Sequence, residues 1–128
     1  EEVILTIDPD IINKVKQQIN GLLSNFGLHY LNPDYHEQAL NAFLNNNSSI
    51  EAIWSNRSDG TFIYSNPTAG LVNAKVRPWF EHAMKGETYI SKVYTSSLTK
   101  KKCITISTPI MKDGKITGVL GVDLLLEN

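Results

Sequence analysis

Two Asp-Gly pairs, each set between apolar-alternating runs, constrain this chain more than any other feature. "IEAIWSNRSDGTFIYSNP" (50–67) places "RSDG" between two strand-like runs. "KKKCITISTPIM" (100–111) passes through "KDGK" into "ITGVLGVDLLL" (116–126). Asp-Gly tolerates the backbone conformations of tight hairpin turns, and the flanking alternation marks strands with one buried face. "TYISKVYTSS" (88–97) reads as a further strand. Strands joined by short turns pair antiparallel, because parallel neighbours need long crossovers.

Helical signals precede the strands. In "DPDIINKVKQQINGLLSNFGLHYL" (8–31), Asp8 suits the cap, Pro9 the first helical position and Asp10 the positive end of the dipole. Ile12, Val15, Ile19, Leu22 and Phe26 recur at heptad-like steps. That stripe fits packing on the domain's own sheet, and also parallel pairing with a second copy. "NPDYHEQALNAFLNNNSS" (32–49) reads as a shorter helix with Ala39, Leu40, Phe43 and Leu44 on its apolar side, ending in a polar loop. "RPWFEHAMKGE" (77–87) reads as a third, short helix stopped at Gly86. The expected class is α+β: a long N-terminal helix (1–32), a linker helix and loop (33–49), and a sheet of about five antiparallel strands with a pocket (50–128).

A chain of 128 residues suits one domain and hides roughly two thirds of its unfolded surface without staples. Its net charge of −1 gives no basic face for nucleic acid. One cysteine, Cys103, excludes an internal disulfide and lies in an alternating apolar stretch, as a small buried hydrophobe would. No run approaches the ~18 apolar residues of a membrane span. No segment reads as a signal peptide, and the abrupt opening "EEVILTIDPD" reads as a piece of something longer.

Catalytic patterns are missing. There is no glycine cluster before a helix and no nucleophile elbow. His29, His36 and His82 are scattered rather than spaced as metal ligands. His29 and His36 read as residues of solvated helix faces, and Glu81 and Glu87 as surface carboxylates. The sequence predicts no enzyme, no metal and no cofactor.

A binding constellation does appear. Pro78 bars the helical conformation at Arg77 and suits the first turn that follows. Arg77 therefore approaches a helix N-terminus extended, with a guanidinium suited to a carboxylate. Trp79 offers a flat wall and an indole donor. In the last strand Leu120, Val122 and Leu124 alternate with Val119, Gly121 and Asp123. The first set should pack on the long helix. The second carries a carboxylate, with Gly121 leaving room beside it.

From "DGTFIYS" through "RPW", "TYISKVY", "ITISTPI" and "GVLGVD", about seventy residues resemble a Cache domain, also called a PDC sensor domain. These are the extracytoplasmic ligand-sensing modules of bacterial chemoreceptors, sensor kinases and diguanylate cyclases. The resemblance implies a PAS-like sheet under a long helix, with loops and a short helix closing a pocket on the other face. It implies that Arg77 grips a ligand carboxylate, that Trp79 lines the site beside it, that Tyr94 is the pocket tyrosine and that Asp123 holds an amino group. Three positions depart from the pattern of amino-acid-binding members. Phe80 replaces a tyrosine, Ser96 an acidic residue and Val72 a further tyrosine. With the ammonium grip thinned, the expected ligand is a small organic acid such as acetate, propionate, pyruvate or lactate, and an amino acid or amine is second. The resemblance also implies one such module per chain, a homodimer through the first helix and membrane attachment through flanking helices. A PAS domain with haem or flavin and a protein-binding adaptor are the competing classes.

Overall fold

The computed structural model describes residues 8–25 and 27–126. Helix α1 (Pro9–Asn25) and helix α2 (Pro33–Asn45) come first, followed by the hairpin β1 (Ile50–Arg57) and β2 (Phe62–Asn66). A short helix α3 (Pro78–Met84), two short strands β3 (Tyr89–Ile90) and β4 (Tyr94–Thr95), and the long hairpin β5 (Lys102–Lys112) and β6 (Lys115–Leu125) complete the chain. All strand pairs are antiparallel, in the order β2-β1-β6-β5-β3, with β4 also on β5. The expected α+β architecture is therefore present. The single strand read over 88–97 is two short pieces, which makes six strands.

Both Asp-Gly pairs turn the chain as expected. Lys112 pairs with Lys115, and the two residues between them, Asp113 and Gly114, have φ of 53° and 76°. That is a two-residue hairpin loop with both central residues left-handed.

The heptad-like stripe is used within the domain. Val15, Ile19 and Leu22 are buried with Ile104, Ile106, Ile110, Leu120, Val122 and Leu124, and Ile12 packs at the margin. Phe26 lies outside the described residues. The sheet covers this face of α1, so pairing with a second copy would use the helix's other, exposed face. Within the 1–32 block, helix α1 covers Pro9–Asn25 and Gly27 turns the chain at φ 64°, while residues 1–7 also lie outside the described residues.

His36 corrects a second expectation. It is fully buried, not on a solvated face. Its Nε2 faces the carbonyls of Leu28 and Tyr30 at 3.0 and 3.2 Å, so that nitrogen carries the proton. Its Nδ1 then accepts from Ser55 Oγ at 2.8 Å. One ring thus ties the turn after α1 to α2 and β1. Burial, the largest cause, holds its pKa below the ordinary 6.5, against the opposing pull of the two carbonyls.

Candidate functional site

The face of the sheet turned away from α1 carries the cavity. Alternation sends Ala52 and Trp54 of β1, Thr105 of β5 and Asp123 of β6 to this side. A cavity of about 380 Å³ lies over them. The segment from Ser65 to Leu71 walls one side, Trp79 of α3 another, and Tyr94, Ser97 and Leu98 a third.

Helix α3 is held over this face at its start. Arg77 is the extended N-cap residue (φ −80°, ψ 136°) and Pro78 opens the first turn, as the sequence predicts. Ser107 Oγ of β5 donates to the Trp79 carbonyl at 2.7 Å. Phe80 and Ala83 bury against Ala74 and Val119 in a second small core. Trp79 meets Trp54 edge-on, with ring centroids 5.2 Å apart. Gly121 sits opposite Trp54, and a Cβ there would lie 2.4 Å from the indole. The space expected beside Asp123 at Gly121 is therefore filled by Trp54 rather than left for a ligand.

Asp123 stands on a central strand, between Ala52 and Thr105. Thr105 Oγ1 donates to Asp123 Oδ1 at 2.8 Å, and Tyr94 Oη donates to the same oxygen at 3.0 Å. The two hydroxyls are 2.8 Å apart. Oδ2 has no protein partner among the described residues. Burial, the largest cause, pushes the Asp123 carboxyl above its ordinary range. The two hydroxyls pull it back, and the charge of Glu51 adds to the rise. Burial likewise pushes the Tyr94 phenol up, so it stays a neutral donor.

Of the residues singled out in the sequence, the fold brings Trp79, Tyr94 and Asp123 together on the cavity. Arg77 is exposed, makes no side-chain capping bond and is not among the lining residues. Phe80 is buried beside the cavity rather than in its wall. Ser96 is also buried. It donates to Glu51 and accepts from the backbone N–H groups of Leu98 and Thr99. Sequence reasoning missed Trp54, Thr105, Ser97, Leu98 and the 65–71 segment. Thr105 carried a readable signal, since it alternates with buried Ile104 and Ile106 in "ITIS". Cys103 is fully buried, and Glu81 and Glu87 are exposed, as expected.

Residues 13–128 match the family described as methyl-accepting chemotaxis protein-like, first PDC sensor domain. The chain belongs to this family. It is therefore a sensor domain and not an enzyme, as the sequence suggested. No curated protein matches it. The fold is shared with solved chemoreceptor domains. The ligand-binding domain of the Pseudomonas aeruginosa PAO1 amino acid chemoreceptor PctC, in complex with GABA, superposes with a TM-score of 0.75 at 18% identity, covering 91% of this chain and 54% of that one. The ligand-binding domain of the Campylobacter jejuni chemoreceptor Tlp3 in complex with L-valine gives 0.71 at 20%, covering 91% and 53%. The ligand-binding domain of Mlp24 with asparagine gives 0.71 at 26%, covering 94% and 52%. The PDC sensor domain thus spans about half the length of the solved chains it matches. No helix among its described residues is long and apolar enough to cross a membrane.

Proposed function

We propose that this PDC domain is the extracytoplasmic ligand-binding part of a transmembrane chemoreceptor, and that its ligand is a small amine-bearing molecule, an amino acid first. The observation that carries this reading is the charge of the cavity. Among the described residues Asp123 is the one carboxylate that lines it, and no lysine or arginine does. A partly dry carboxylate, already holding two hydroxyls on one oxygen, has its other oxygen for a cationic donor. Trp54, Trp79 and Phe62 suit the apolar part of such a ligand and the face of its ammonium. The relatives' complexes with GABA, valine and asparagine support the same class.

The organic-acid reading from the sequence rested on Arg77 as anchor. An acetate or lactate in this cavity would bring a second negative charge beside Asp123 with no lining cation to offset it. An amino acid brings its own ammonium to Asp123, so it enters with no net charge, and its carboxylate is left to neutral donors of the wall such as Thr68 and Ser97. In the whole receptor, ligand draws the walls around Tyr94 and 65–71 onto the sheet, and the change leaves through α1 and β6 toward membrane helices outside this chain. Thermal unfolding against amino acids, amines and small acids tests the assignment. A binder at 100 times its Kd adds about 2.7 kcal/mol. Stabilisation by amine-bearing compounds, lost in Asp123→Asn, is the expected result. Stabilisation by simple monocarboxylates alone overturns it.

A further inference from the structure

The first strand of the sheet breaks its own alternation beside the site. Ile50 pairs with Leu124 and Ala52 with Asp123, so two steps on β1 answer one on β6. Glu51 is the inserted residue of a β-bulge. The bulge explains a mismatch of phase: Ile50 and Ile53, three apart, both pack in the core under α1, which regular alternation forbids. It also frees the Glu51 side chain from the helix side of the sheet.

That side chain travels far. Strands β6 and β5 stand between β1 and β4. The Glu51 carboxylate nevertheless accepts the hydroxyl proton of Ser96, the residue just after β4. Its charge is felt on the way, at Asp123 of β6 and at Cys103 of β5. Ser96 is only 4% exposed, and its Oγ also receives the N–H groups of Leu98 and Thr99 at 3.1 and 3.3 Å. The turn so gathered contributes Ser97 and Leu98 to the cavity wall, although Leu98 is 61% exposed and has little packing of its own to hold it.

We infer that Glu51 is a positioning residue of the ligand site: it reaches across the sheet and, through Ser96, latches the 96–99 turn so that Ser97 and Leu98 close the cavity over Asp123. This rests on the reading of the cavity as a ligand site. Glu51→Gln keeps an acceptor for Ser96 and Glu51→Ala removes it, so the pair separates the latch from mere presence of a side chain. Two readouts apply to the intact domain. Without ligand, amide exchange at Leu98 and Thr99 is expected to quicken at least tenfold in Glu51→Ala and to return near the wild-type rate in Glu51→Gln, while Ile106 and Val122 stay unchanged. With GABA, L-isoleucine and L-asparagine as probes, calorimetric affinity is expected to fall about tenfold in Glu51→Ala and to recover in Glu51→Gln, at equal thermal stability. Unchanged exchange in Glu51→Ala, or an affinity equal to wild type for every probe the wild type binds, overturns the proposal. If the wild type binds none of the three probes, the amine reading fails by itself and the exchange result alone decides the latch.

Discussion

Tyr94 and Asp123, twenty-nine positions apart, meet through a 3.0 Å hydrogen bond that crosses β5 and joins the edge of the sheet to its centre. Tyr94 comes from an exposed two-residue strand, and Asp123 from a strand paired on both sides. The edge of the sheet is thus tied to its centre at the one carboxylate that lines the cavity. In the empty domain this carboxylate is held at a cost.

Asp123→Asn therefore stabilises the empty domain at neutral pH while removing its response to amines. The sign follows from the raised carboxyl pKa: the folded state favours the protonated group, so its contribution is present at acid pH and lost as pH rises through the folded pKa. Asparagine keeps an Oδ1 for Tyr94 and Thr105 but carries no charge. Urea midpoints of the two proteins should differ most near pH 7 and converge at acid pH. Equal midpoints at pH 7 would speak against a strained carboxylate.

His36 acts in the opposite direction. Its folded pKa lies below 6.5, so the neutral ring contributes stability above pH 6.5 that is lost as pH falls through 6.5 toward the folded value. Urea unfolding between pH 7.5 and 5.5, at the order of one pH unit on either side of that value, should show a decline that His36→Gln lacks. His36→Ala should cost roughly 2–5 kcal/mol at neutral pH, the range for emptying a buried large side chain.

Gly121 and Trp54 form a coupled pair. Gly121→Ala should destabilise by roughly 1–3 kcal/mol, because the added methyl meets the indole and the sheet backbone cannot yield. In Trp54→Ala the same substitution should cost far less, so a double-mutant cycle should show coupling. Additive effects would mean the indole readily moves aside.

Both tryptophans of the chain, Trp54 and Trp79, line the cavity. Intrinsic fluorescence should therefore report occupancy directly. Amine-bearing ligands should change the emission, and Trp79→Phe should diminish the change without abolishing binding, leaving Trp54 as the remaining reporter. A binder that stabilises the protein with no spectral change would lie elsewhere.

Much of this was legible in the chain because it is local. The Asp-Gly turns fix two hairpins, and alternation in "GVLGVDLLL" puts Asp123 opposite the helix-facing leucines. Pro78 predicts the extended Arg77, yet not the direction of its side chain, which a backbone conformation does not dictate. Gly121 looked like a vacancy because its occupant, Trp54, comes from a strand sixty-seven residues earlier whose register no short pattern reveals. His36 looked solvated because α2 shows polar residues around it, and only the turn at Leu28–Tyr30 supplies its acceptors. Glu51 was invisible because a bulge defeats the period-two reading on which strand faces are assigned. The stripe on α1 suited the domain's own sheet, and the sheet covers it.

Isothermal titration of the purified domain with GABA, L-isoleucine, L-asparagine, acetate, propionate, pyruvate and lactate, repeated on Asp123→Asn and Arg77→Ala, tests the central claim most directly. The account predicts heat from one or more amine-bearing compounds, abolished in Asp123→Asn and retained in Arg77→Ala, and none from the four simple acids. Binding of a simple acid that survives Asp123→Asn and disappears in Arg77→Ala would contradict it.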